Sequence, residues 1–132
     1  MSPTCYAALL LALTVSPVFA NDGDQAKSNA ISQEQCHDKA IFRRLFSLSA
    51  SKEYQAAQLE YLAAMNANAL IQCPKTFLTV LKSSDVVTQQ AVLNNLGAQH
   101  PPQDIARAIK PLTHTPQLAD FIHRHFAAYL AE

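Results

Sequence analysis

The sequence predicts an all-α domain of about six antiparallel helices closed by one disulfide, and three observations carry that reading. Apolar residues recur at helical spacing in successive segments. The chain of 132 residues holds only 2 glycines and is rich in Ala, Leu and Gln, which favours helix over sheet. Its prolines and its Ser/Thr/Asp clusters fall between the periodic segments, where they cap and stop helices.

Residues 1–20 read as a secretory signal peptide. Residues 6–15 form an almost unbroken apolar run, Pro17 breaks it, and Val18 and Ala20 place small side chains where a signal peptidase reads, so cleavage is expected after Ala20. A membrane anchor needs roughly 18 to 20 apolar residues; this run is shorter and is followed by Asn21, Asp22 and Asp24. The segment before the run lacks Lys and Arg, leaving only the amino terminus to supply positive charge. Cys5 precedes the apolar run and is lost with the signal. No later stretch is apolar and long enough to span a bilayer. A soluble periplasmic or secreted protein is therefore expected.

All 10 Lys/Arg and all 10 Asp/Glu lie after residue 20, so the mature chain is also neutral. Neutrality removes any global attraction to nucleic acid or to an anionic membrane. Residues 21–31 are polar and aperiodic and are expected to form a disordered leader, with residues 32–132 as a single helical domain.

Ser32 and Gln35 have capping-box spacing, and Ile31 and Cys36 can form the hydrophobic staple, so helix one is expected over 33–47. Ile41, Leu45 and Leu48 recur along it, with Phe42 and Phe46 widening the stripe, while Lys39, Arg43 and Arg44 fall largely outside. Ser49 or Ser51 caps helix two, expected over 52–72, about 30 Å long. Leu59, Leu62, Ala69 and Leu70 form one of its faces; Tyr54, Ala57, Tyr61 and Met65 form another. It should therefore be packed on more than one side.

Pro74 stops helix two and opens helix three, 74–82, with Phe77, Leu78, Val80 and Leu81 inward. Ser83-Ser84-Asp85 caps helix four, 86–96, where Val92 and Leu96 lie beside Val87, Ala91 and Leu93; Gly97 follows as a helix end. A turn at His100-Pro101-Pro102 leads to helix five, 102–110, with Ile105, Ile109 and Leu112 inward and Pro111 at its end. Thr115-Pro116 opens helix six, 116–131, with Leu118, Phe121, Ile122, Phe126, Tyr129 and Leu130 as its apolar face.

A weak internal repeat accompanies these hairpins. Phe42-Arg43-Arg44-Leu45, Phe77-Leu78-Thr79-Val80 and Ile105-Ala106-Arg107-Ala108 each stand in the first helix of a hairpin. The middle unit, residues 74–97 (PKTFLTVLKSSDVVTQQAVLNNLG), resembles a HEAT-type repeat in its proline start, apolar first helix, turn Asp and Leu-Gly finish. That resemblance implies a HEAT-like stack of hairpins; a plain helical bundle is the other arrangement open to these helices.

Removal of the signal leaves Cys36 and Cys73, an even pair suited to a disulfide in an oxidising compartment. In an antiparallel hairpin the start of helix one and the end of helix two share a pole. The two cysteines stand there and should meet. Neither CxxC nor HxxxH spacing accompanies His37 beside Cys36, so no metal or other cofactor is expected.

The histidines do not assemble into a site. His37 and His100 belong to the cysteine pole and His114 to the other, while His123 and His125, two apart on helix six, point to different faces. No nucleophile sits in a recognisable motif, and no enzyme is expected. The patch with most claim to a partner is Lys39, Arg43 and Arg44, joined by Lys52, because arginine pairs bidentately with carboxylates.

A non-enzymatic exported protein that binds another protein is therefore the expected function, as an accessory or chaperone of an envelope or secretion system. An immunity or inhibitor protein that neutralises a toxic partner is an alternative. A carrier of a small apolar ligand, lined by residues such as Phe42, Phe46, Tyr61, Met65 and Phe77, is another.

Overall fold

In a computed structural model, which describes residues 31–94, 96 and 101–131, every regular element is helical. The expected signal peptide, the leader up to residue 30, the Gly97 helix end and His100 lie outside the described residues. A 3-10 turn, Gln33–His37, precedes α1 (Lys39–Ser49), α2 (Ala56–Gln72), α3 (Pro74–Ser83), α4 (Val86–Asn94) and α5 (Pro102–Ile109). A second 3-10 turn, Lys110–His114, leads into α6 (Pro116–His125), and α7 (Ala127–Leu130) follows. No described helix is long and apolar enough to cross a membrane.

The core is built around Phe77 of α3. Phe42 and Phe46 of α1 meet its ring edge-on, with centroids 6.5 and 4.9 Å away and both interplanar angles at 84°. Such edge-to-face pairs each contribute about 0.5–1.5 kcal/mol beyond the area they bury. Leu70, Leu78, Leu81, Ile105, Ile109, Ile122 and Phe126 fill the space around this trio.

Helix α1 packs against α2, α3 and α4, and α2 packs against α1, α3 and α5. The contact between α2 and α5 joins the first and third hairpins directly and closes the helices into a bundle around one core. The expectation that α2 is covered on more than one side holds. Ala63, Ala64, Ala67 and Ala69 are buried along it, and their small side chains let three neighbours approach.

Several expectations change. Helix one is not continuous over 33–47: Asp38, in an extended conformation, ends the 3-10 turn, and its Oδ1 accepts the Ala40 N–H at 3.1 Å to start α1 afresh. The Ser32–Gln35 box is present in front of that short turn, where the Ser32 N–H donates to Gln35 Oε1 at 2.9 Å. Ile31, assigned to the leader, is buried against the core and belongs to the domain. Helix two starts at Ala56, because Ser51 accepts the Glu53 N–H to make a local turn and Gln55 then caps through Gln58, its N–H donating to Gln58 Oε1 at 3.2 Å. That leaves 17 residues, about 25 Å, still the longest described element.

At the third hairpin, α5 ends at Ile109, ahead of Pro111 as expected, and a 3-10 turn continues it. The first positions of that turn tolerate a residue lacking an N–H. Helix six is interrupted at Phe126, whose backbone leaves helical angles while its ring stays fully buried; α7 then turns back onto α5. Finally, Leu48 and Val87 do not face the core. The buried row of α1 is Phe42, Leu45, Phe46 and Ser49, a true i, i+3, i+4, i+7 stripe that leaves Leu48 on its margin. In α4 the inner side runs through Thr88, Gln89 and Val92, and Val86 and Val87 project outward.

Candidate functional site

Cys36 and Cys73 form a disulfide with their Cα atoms 5.3 Å apart. It ties the 3-10 turn to the junction of α2 and α3, where Cys73 is buried and Cys36 half-buried. Gln33 Nε2 donates to the Gln72 carbonyl at 3.3 Å and holds the same turn to the same junction. In the chain-entropy description a loop of this size contributes roughly 3 to 4 kcal/mol. Both α1 and α3 leave this pole, so their far ends arrive together at the opposite one.

The register of α1 follows from its inner row. With Phe42 and Phe46 locked against Phe77, Lys39 and Arg43 stand one turn apart on one outer flank, and Arg44 and Leu48 one turn apart on the other. Lys39, Arg43, Arg44 and Lys52 are all exposed, and none makes an ion pair with a described residue. Among the described residues the ion pairs of Asp104 with Arg107 and Asp120 with Arg124 are solvent-exposed neighbours on single helices and add little stability.

Beyond the end of α1, polar groups fix the turns. Asp85 Oδ1 accepts the Thr88 N–H at 2.8 Å, its carbonyl accepts the Gln89 N–H at 2.9 Å, and together these start α4. Those bonds to the Thr88 backbone and side chain hold the exposed Asp85 carboxyl below its ordinary value of 3.8. Gln89 Nε2 donates to the carbonyls of Leu81, Lys82 and Ser84 at 3.1 Å, closing the end of α3. Lys82 Nζ donates to the Gln117 carbonyl and brings α6 to the same end. The large hydrophobic side chains left exposed among the described residues all stand here: Leu48 at 37%, Val86 at 69% and Val87 at 69%.

One polar pair lies in the core. Asn66, 2% exposed, donates from Nδ2 to Ser49 Oγ at 2.8 Å and to the Leu62 carbonyl at 2.9 Å, and Ser49 Oγ donates to the Leu45 carbonyl at 2.8 Å. Asn66 Oδ1 has no partner among the described residues. Sequence reading passed over this pair, because an Asn and a Ser on two helices carry no joint spacing; the one hint was a serine at the next inward step after Phe42, Leu45 and Phe46.

The other candidates do not converge. His37, His114 and His123 are exposed, and His125 packs against Phe121 with ring centroids 4.6 Å apart and the planes tilted by 51°. Among the described residues no group of three His, Cys, Asp or Glu has the arrangement of a metal site. Of the residues named for a carrier, Phe42, Phe46 and Phe77 pack on one another, and Tyr61 and Met65 are half-buried. Compared with known protein families, with curated proteins and with solved structures, the chain matches none.

Proposed function

We propose that this chain is an exported, non-enzymatic protein that works by binding another protein, as an accessory or chaperone of an envelope or secretion system, with Lys39, Arg43 and Arg44 at the contact. The observation that carries the reading is the exposed cationic face of α1, which makes no ion pair with a carboxylate among the described residues. A helix held rigidly by its inner row presents these cations with little further loss of side-chain freedom than the side chains' own, and arginine in particular pairs bidentately with carboxylates. Export is supported by the disulfide, since such bonds persist in oxidising compartments, and by the signal-like residues 1–20.

Affinity capture from envelope extract under non-reducing conditions tests this. The wild-type chain should retain a stoichiometric protein, and the Arg43→Glu/Arg44→Glu variant should lose it with an unchanged thermal midpoint. Equal capture by both removes the face from the contact. Amino-terminal sequencing of the recovered protein should begin at Asn21; a chain starting at Met1 would contradict export with cleavage.

A further inference from the structure

Arg44 and Leu48 occupy one row on the outer side of α1, and that row leads to the end of the bundle where α4 begins with Val86 and Val87 exposed. α1 and α4 pack against each other. α1 and α3 both set out from the disulfide, and only Ser84 and Asp85 separate α3 from α4, so Leu48, Val86 and Val87 come to the same end. Two β-branched side chains more than two-thirds exposed on a first helical turn contribute nothing to the core. Their backbone is nonetheless fixed by the Asp85 cap and by the three bonds of Gln89. A rigid apolar projection of this kind is suited to contact.

The charges at this end select the partner's chemistry. Arg44, Lys52 and Lys82 stand around it against Glu53 and Asp85, and the Asp85 carboxylate is turned to its own helix. We infer that Arg44, Leu48, Val86 and Val87 form one docking surface for a segment of a partner protein that is both acidic and apolar, such as an amphipathic helix carrying carboxylates beside leucine-like side chains. The inference rests on the protein-binding reading above and adds the valine end and the partner's mixed character. A lipid surface fits less well: the chain is neutral, and the exposed large hydrophobics of its described residues include no aromatic side chain.

The test uses the mature chain with its disulfide intact and four probes. The first is a synthetic helical peptide of about 18 residues with Leu on one face and Glu on the other. The second replaces its Leu by Gln, the third replaces its Glu by Lys, and the fourth is a vesicle of phosphatidylethanolamine and phosphatidylglycerol. Titration calorimetry gives affinity, and amide chemical shifts give location. The Leu/Glu peptide should bind with a stoichiometry of one and move the amides of residues 43–48 and 85–88. Val86→Ser/Val87→Ser should weaken it about fivefold or more, and Arg43→Glu/Arg44→Glu about tenfold or more, with thermal midpoints unchanged in both.

Equal binding of the Gln/Glu peptide, or no loss in the double valine variant, would overturn the docking surface while leaving a purely cationic protein-binding face in place. Unchanged binding in the double arginine variant would overturn both readings. Binding of the Leu/Lys peptide as tight as that of the Leu/Glu peptide would show an unselective apolar surface and overturn the inference. So would binding to the vesicles with none to the Leu/Glu peptide, and so would the absence of binding to any probe.

Discussion

The two ends of the bundle are closed by different means. At one, a covalent bond between Cys36 and Cys73 holds the 3-10 turn to the α2–α3 junction, and Ile31 and Cys73 are buried beneath it. At the other, closure is by hydrogen bonds alone: Asp85 to α4, Gln89 to the end of α3, Lys82 to the start of α6, and Ser49 to Asn66 at the end of α1. The covalent end buries its apolar residues, whereas the hydrogen-bonded end leaves Leu48, Val86 and Val87 in solvent. A neutral chain has put its covalent constraint at the end where no large hydrophobic side chain of the described residues is exposed. The other end is shaped by polar groups that fix the backbone without covering the side chains.

Removing the covalent constraint gives the largest effect. Cys36→Ser/Cys73→Ser should lower unfolding free energy by roughly 3 to 4 kcal/mol, read as a shift of the urea midpoint. A loss below about 1 kcal/mol would mean that Ile31 and the Gln33 bond already hold that end, and the contrast between the ends would collapse. Next comes the buried polar pair. Asn66→Ala removes two donated hydrogen bonds in the core and should cost about 1–3 kcal/mol in the same assay.

Gln89→Ala tests the closure of α3 more locally. It removes the side-chain donor to the carbonyls of Leu81, Lys82 and Ser84 and should cost about 1 kcal/mol, with amide exchange accelerating in α4 and leaving the region around Cys73 unaffected. If exchange rises equally at both ends, they are not independent. The smallest effect is the Asp85 cap. Its carboxyl is depressed in the folded state, so its contribution is present above the ordinary value of 3.8 and is lost as pH falls through the lower folded value. Acid titration of the α4 amides should show loosening in that range, absent in Asp85→Asn; identical acid profiles would remove the carboxylate from the account.

Much of the framework was readable because its causes are local. Pro74, Asp85 and Thr115-Pro116 mark helix starts by their own backbone and side-chain chemistry, and α3 runs from Pro74 with Phe77, Leu78, Val80 and Leu81 inside as its periodicity requires. The disulfide was readable because hairpin polarity alone brings residues 36 and 73 to one pole. What escaped depends on partners distant in sequence. Leu48 and Ser49 are adjacent, and the register set by Phe42 and Phe46 against Phe77 on another helix turns the serine inward to Asn66 and leaves the leucine exposed. The break at Phe126 exists because the ring must enter the core while α7 returns to α5, and the start of α2 at Ala56 reflects a competing turn at Ser51. The cationic face was visible as residues, but the valine end beside it was not. Val86-Val87 reads as core until the inward side of α4 is known.

The position of the disulfide also bears on the order of events. Both of its cysteines are in place once residue 73 has been made, with the last 59 residues of the 132 still to come. Domains form from the amino terminus first, and the bond joins only residues of the first hairpin and the start of α3. Once closed, the cross-link holds together the surface on which the later helices pack.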